Sequence, residues 1–315
     1  MKRVLLIPIL LAALSVSSFA EFPASDVYEK TSKVVVLIVG FGEGSNSMIG
    51  SGAIVGHHGT IVTNAHVVMN KAASSPYSKI KVYTKPDKVT GSLQEDLKQA
   101  FIAKVVAYDV DLDLAVLKAE GMPEDMGSIT FANSDEIKIG EEVVAIGHPE
   151  QGGLWTLSYG RISGEILNQN NVQGKDVFQT DTSMNRGNSG GPLLDSRGYL
   201  VGINTSIARI GEGNVPIVGV NFAIKSSVVK KWFDKQGIFI AYGKDSLHDQ
   251  TQQVAGKNEK IKAQPDMAKE IKSNHVTEEP KILTPKKPYK QDDLLKEVEK
   301  ELEDMMEEMR GKIRK

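Results

Sequence analysis

The chain is 315 residues long, with 38 Lys or Arg against 40 Asp or Glu, a net charge of −2, and no cysteine. The missing thiols exclude any disulfide and any lipid attachment through cysteine, and the balanced charge gives no electrostatic reason to expect nucleic acid or an anionic membrane as partner. At roughly 100–200 residues per domain, the length leaves room for one two-barrel domain and an extension.

Lys2 and Arg3 precede an apolar stretch from Val4 to Val16, and Ser18-Phe19-Ala20 puts small residues where a signal peptidase would cut. Residues 1–20 therefore read as a secretory signal peptide. The stretch is shorter than the roughly 20 apolar residues that span a bilayer, so no stable membrane span is expected after cleavage. Export without disulfides fits a bacterial envelope, periplasmic or secreted, better than a disulfide-rich animal secretion.

Short β-branched runs separated by glycine-bearing turns follow at Val34–Val39, Gly52–Val55, Ile61–Thr63, Ile80–Tyr83, Ala103–Tyr108 and Leu114–Lys118. Six such strands predict a closed antiparallel barrel over about 34–120. A second set, Val143–Ile146, Leu157–Ile162, Val177–Thr180, Pro192–Leu194, Leu200–Ile207 and Val218–Ala223, predicts another over about 140–225. The fold class is thus all-β, two six-stranded barrels, with a closing helix at 226–235 where the spacing turns helical. The domain runs over 21–242.

Beyond Tyr242 the composition breaks. Residues 241–315 hold 16 Lys or Arg and 16 Asp or Glu with only two aromatics, too little apolar surface for a core. Residues 243–290 read as a polar linker. Residues 291–315 read as a charged amphipathic helix, acidic at its start and basic at its end in keeping with the helix dipole. Leu295, Val298, Leu302, Met305 and Met309 form its apolar seam, of the kind that pairs helices, and docking on another subunit or a partner protein is expected.

The run Ser183-Met-Asn-Arg-Gly-Asn-Ser189-Gly-Gly-Pro leaves one serine in a nearly bare backbone. A serine that attacks a carbonyl must stand clear of other side chains, with N–H groups aimed at the oxyanion that forms. Gly187, Asn188 and Ser189 are the candidate donors. A base and an orienting acid are available upstream: His66 closes the apolar run Ile61–Val68, and Asp109, Asp111 and Asp113 precede Leu114–Leu117. The three aspartates alternate at period two, and spacing alone leaves the choice among them open.

Thr63-Asn-Ala-His66-Val-Val, Asp113-Leu-Ala-Val-Leu and Gly187-Asn-Ser189-Gly-Gly-Pro resemble the three signature segments of HtrA (Deg) proteases. The resemblance extends from Val34 to Phe233, through Gln179-Thr-Asp-Thr-Ser-Met-Asn-Arg and Gly219-Val-Asn-Phe-Ala-Ile. It implies a chymotrypsin-type pair of barrels and selects Asp113 beside His66 and Ser189 as the triad. It also implies polypeptide substrates, no cofactor, and the family's usual homotrimer as one mode of assembly. PDZ domains usually follow in that family, and no corresponding glycine-rich strand pattern is found after Tyr242.

In trypsin-like enzymes the residue six before the nucleophile floors the primary pocket. Here that is Ser183, which offers a cationic side chain no counter-charge and so favours small or medium apolar residues. Asn204-Thr205-Ser206-Ile207 resembles the strand that pairs with substrate, which makes Thr205, Ser206 and Ile207 substrate-binding candidates. Among the other histidines, His57 and His58 lie in a glycine-flanked turn lacking further ligands, so no metal site is expected. His148 stands in Gly147-His148-Pro149, where the resemblance would place asparagine, and reads as a turn residue.

The expected function is an exported serine endopeptidase acting on unfolded or damaged envelope proteins. The alternative from another class is a non-catalytic chaperone or scaffold with a protease fold; an esterase using the same triad is a third reading.

Overall fold

A computed structural model of the chain describes residues 22–42, 47–56, 58–70, 73–150, 152–207, 219–243, 293–298 and 300. The expected signal peptide, His57, the expected linker after 243 and the expected tail seam at Leu302, Met305 and Met309 lie outside the described residues.

Two closed barrels form, both antiparallel. The first joins β1 (Val35–Phe41), β2 (Met48–Ile54), β3 (Thr60–Thr63), β6 (Lys79–Tyr83), β7 (Ala100–Asp109) and β8 (Leu114–Ala119) in the order β1-β2-β3-β8-β7-β6. A two-residue ladder, β4 (Met69–Asn70) with β5 (Ser75–Pro76), stands beside it. The second joins β9 (Glu142–Gly147), β10 (Thr156–Ile166), β11 (Val177–Thr180), β12 (Pro192–Leu194), β13 (Leu200–Ile207) and β14 (Asn221–Lys225) in the order β10-β11-β14-β13-β12-β9. This is the two-barrel, chymotrypsin-type fold expected. The last strand begins three residues later than its β-branched run suggested, and β2 begins four residues ahead of its run at Gly52, so that Gly50 and Gly52 both lie inside the strand.

Burial follows from what covers each strand. Val35 to Val39 are all fully buried, because β1 faces the barrel interior on one side and the short helix α2 (Ala65–Val68) and β9 on the other. β7 instead alternates and leaves Ile102, Val106 and Tyr108 exposed on its outer face. Each fully buried Leu or Ile of the interior, such as Leu37, Ile38, Ile61 and Leu117, contributes about 1.5–3 kcal/mol. The helix α3 (Ser226–Lys235) closes the domain by turning Val228, Val229, Trp232 and Phe233 inward, Phe233 against Phe131 at 6.3 Å between ring centroids.

Two elements depart from the sequence reading. A helix α1 (Ala24–Thr31) precedes the first barrel, where no helix was expected. It is short and weakly periodic, and tertiary contacts hold it: Tyr28 Oη donates to the Trp155 carbonyl (2.8 Å) and Lys30 Nζ to the Arg197 carbonyl (3.0 Å), both in the second barrel. In the tail, residues 293–298 are helical, but Leu294 and Val298 are fully buried in the chain's own core cluster with Leu295 partly buried against it. The expected seam omitted Leu294, and at Val298 it is occupied by this chain rather than held open for another subunit. The i,i+4 pair Leu294/Val298 makes a face as good for docking at home as for pairing.

Candidate active site

The ladder between β3 and β8 sets the distance between base and acid. Thr63 pairs with Ala115, so the end of β3 lies beside the start of β8. His66 sits three residues past that pair on α2, and Asp113 two residues before it. Asp113 takes a left-handed backbone, φ 60°, an uncommon conformation for a side-chain-bearing residue that turns its carboxylate back across the strand end. Asn64 Nδ2 holds the Asp113 carbonyl at 2.9 Å.

The carboxylate has a full set of donors. Oδ1 accepts from the His66 backbone N–H (3.0 Å), and His66 Nδ1 lies 3.0 Å from Oδ1 and 2.9 Å from Oδ2. Oδ2 also accepts from Thr205 Oγ1 at 2.6 Å. Because an ionised carboxylate can only accept, Nδ1 carries the imidazole proton and Nε2 keeps its lone pair. Burial works against the Asp113 charge and is the largest single influence. The hydrogen bonds from His66 and Thr205, with the attraction of His66, outweigh it and hold the carboxyl below its ordinary value. Asp109 caps the turn that follows β7 by accepting from Leu112 N–H (2.9 Å), and Asp111 lends only its backbone carbonyl, to Lys175 Nζ (2.9 Å). Of the three aspartates, the fold brings Asp113 to the histidine.

Ser189 comes from the second barrel, on the loop between β11 and β12. Its carbonyl accepts from Ser51 N–H of β2 (2.8 Å), which ties the loop to the first barrel. Its Oγ donates to the Thr205 carbonyl at 3.2 Å, and among the described residues no hydrogen bond joins it to His66. Such contacts often close only when substrate arrives, and a rotation about χ1 is enough to redirect a hydroxyl.

Of the three candidate oxyanion donors, Asn188 is withdrawn: its N–H donates to the Asn185 carbonyl at 3.1 Å, closing the turn. Gly187 and Ser189 keep N–H groups that make no hydrogen bond among the described residues. The Arg186 carbonyl accepts from Glu150 N–H at 2.6 Å. No peptide bond among the described residues is cis, so the Gly187 N–H on the same peptide unit points the opposite way, off the 148–150 segment. Gly187 has φ 92°, which explains why that position carries no side chain.

The substrate-side candidates fare differently. Ser183 is exposed, while its neighbours Thr182 and Met184 are buried in the second barrel. Thr205 lies beside the nucleophile, but its hydroxyl is committed to Asp113, a role the sequence reading missed. Ser206 and Ile207 continue β13, their side chains outside the described residues. His148 is no exposed turn residue: it is fully buried, 2.8 Å from Ser51 Oγ through Nδ1, with its ring edge-on to Trp155 at 4.8 Å. A lone histidine between glycine and proline carries no signal of this in one sequence. Among the described residues no group of three or more His, Asp or Glu side chains forms a metal site, and no helix is long and apolar enough to cross a membrane.

Two six-stranded barrels with a histidine and an aspartate from one and a glycine-framed serine from the other define a trypsin-like peptidase domain, and residues 50–203 match the family of that description. The domain is similar to HtrA/Deg-type proteases. It is 37% identical over 187 residues to a probable periplasmic serine endoprotease DegP-like of Chlamydia trachomatis, covering 59% of this chain and 33% of that protein. It is 39% identical over 184 residues to the periplasmic serine endoprotease DegP of Salmonella typhimurium, covering 58% and 34%. With protease Do-like 5, chloroplastic, of Arabidopsis thaliana the identity is 38% over 185 residues, covering 57% and 54%. Among solved structures, the HtrA-type protease AlgW with tripeptide superposes with a TM-score of 0.54 at 29% identity, covering 68% of this chain and 64% of that one. The chain thus matches about a third of the length of the periplasmic relatives named above.

Proposed function

We propose that this chain is an exported serine endopeptidase that hydrolyses peptide bonds of unfolded or damaged envelope proteins, with Ser189 as nucleophile, His66 as base and Asp113 as orienting acid. The observation that carries the reading is the His66 imidazole clasped through Nδ1 by both oxygens of Asp113, which leaves Nε2 as the proton acceptor. In this scheme Nε2 takes the Ser189 proton as Oγ attacks the scissile carbonyl, and the oxyanion is met by the Gly187 and Ser189 N–H groups. The imidazolium returns its proton to the leaving amine, giving an acyl-enzyme that water then hydrolyses by the same proton path in reverse. The periplasmic endoproteases among the relatives support the compartment and the class of substrate.

Casein cleavage by the mature protein, beside Ser189→Ala, tests the assignment. Removing a triad nucleophile costs on the order of 10⁶ in turnover, while the loss of one hydroxyl leaves the fold in place. Residual cleavage near wild type in the alanine variant would take Ser189 out of the role. A wild-type protein that binds unfolded casein but never cuts it would favour the chaperone alternative.

A further inference from the structure

The segment Gly147-His148-Pro149-Glu150, which starts at the last residue of β9, bears on the oxyanion loop at three points, and the reaction scheme uses none of them. Glu150 N–H holds the Arg186 carbonyl. Gly147 lies so close to the loop that a Cβ there would stand 2.6 Å from Asn188 Oδ1. His148 reaches the loop through Ser51, whose Oγ is 2.8 Å from His148 Nδ1 and 2.7 Å from the Gly187 carbonyl oxygen. Ser51 and His148 are both fully buried.

Donor counting orders this chain completely. A carbonyl only accepts, so the single Ser51 proton lies on the bond to Gly187. The Ser51 oxygen must then receive its other hydrogen bond, which requires His148 to carry a proton on Nδ1. Burial drives the His148 pKa down to about 3, so the ring is neutral at working pH and the Nδ1–H tautomer is the one form that satisfies both contacts. The edge-on contact with Trp155, itself anchored by Nε1 to the Val35 carbonyl at 2.8 Å, fixes the ring plane.

We propose that His148 and Ser51 are positioning residues for catalysis: a buried Nδ1–H···Oγ–H···O=C relay that clamps the Gly187–Asn188 peptide unit and so, together with the Glu150 hold on the Arg186 carbonyl, keeps the intervening Gly187 N–H aimed at the oxyanion site. The peptide unit from Gly187 to Asn188 is gripped at both ends, its carbonyl by Ser51 and its N–H by the Asn185 carbonyl. The preceding unit is held by Glu150. Gly187, without a Cβ, could otherwise flip either peptide at little cost, and a flipped unit would turn a carbonyl toward the developing oxyanion. Ser51 also donates its backbone N–H to the Ser189 carbonyl, so one residue of the first barrel braces both flanks of the nucleophile. The proposal rests on the serine-protease reading of Ser189.

Two measurements test it. Long-range ¹⁵N NMR of the imidazoles reports the His148 tautomer whether or not the protein is active, and Nδ1–H is expected. Peptide-hydrolysis kinetics then compare His148→Leu, Ser51→Ala, their double variant and His148→Asn with wild type. Losing an oxyanion donor outright costs about 10²–10³ in kcat. Loosening it is expected to cost about 10–10² in kcat with KM within about twofold. The double variant falls no further than the worse single one, and His148→Asn, whose amide keeps a donor, recovers most of the leucine loss. An Nε2–H tautomer, or a loss carried in KM, or multiplicative losses in the double variant, would overturn the relay. Wild-type protein that holds the Nδ1–H tautomer but cleaves nothing would sink the protease reading, and the catalytic purpose of the relay with it.

Discussion

Asp113→Asn is expected to lower kcat about 10⁴-fold while leaving KM within a fewfold. Every hydrogen bond to the carboxylate arrives from a donor, so one NH₂ group must now face a donor. The Thr205 hydroxyl can rotate to accept, whereas the His66 backbone N–H, 3.0 Å from Oδ1, cannot. The amide nitrogen is therefore steered to the Oδ2 position, 2.9 Å from His66 Nδ1, where it favours the tautomer with the proton on Nε2 and leaves no base for Ser189. The imidazolium of the transition state also loses its counter-charge. At 2.9 Å the two charges attract by about 6 kcal/mol at an effective dielectric constant of ~20, and by about 1.4 kcal/mol if screened as in bulk water. The Asp113 side chain is only 14% exposed, which puts the pair nearer the first case, and each ~1.4 kcal/mol is tenfold in rate. The result agrees with the roughly 10⁴ of the general serine-protease template. The assay is hydrolysis of a fluorogenic peptide, with Asp109→Asn and Asp111→Asn as controls that lose less than about threefold. A tenfold loss in Asp113→Asn would mean that solvent screens the pair and that the clasp on His66 is not what drives the reaction. A greater loss in either control would mean that the acid had been assigned to the wrong aspartate.

Four further outcomes are expected. Cuts in casein, mapped by mass spectrometry, follow Val, Ala or Ile rather than Lys or Arg, since Ser183 supplies no charge to pair with a cation; a majority of basic residues at the cut would overturn that. Asp113 has its carboxyl held below the ordinary 3.8. Its stabilisation is therefore complete above the unfolded value of about 3.9 and is lost as pH falls through the folded one. In urea unfolding, the margin of wild type over Asp113→Asn should be constant near pH 6 and shrink below about pH 4; a margin growing toward acid would refute the sign. Leu294→Ala should cost about 2–5 kcal/mol, because the side chain is fully buried in the chain's own core. A version ending at Tyr242 should melt lower, and its sedimentation beside the mature protein reads whether the tail also carries self-association.

The barrels were legible in the sequence because each strand announces itself locally, through β-branched runs broken by glycine. Ten of the twelve barrel strands overlap their runs almost fully, and β14 slides only because Gly219 starts the chain in a turn conformation, φ 76°. The order His66, Asp113, Ser189 was legible for the same reason: each residue sits at the end of a run or in a bare glycine frame. Periodicity assigns Asp109, Asp111 and Asp113 to one face and the resemblance alone pointed to Asp113; the Thr63–Ala115 register and a left-handed backbone at Asp113 are what bring its carboxylate to His66. Removing Asn188 from the oxyanion donors, committing Thr205 to the acid, burying His148 against Ser51 and folding Leu294 and Val298 home all depend on contacts between residues far apart in the chain. A hydrogen-bond donor's partner is set by which groups the closed barrels bring within 3 Å, and no local pattern encodes that distance.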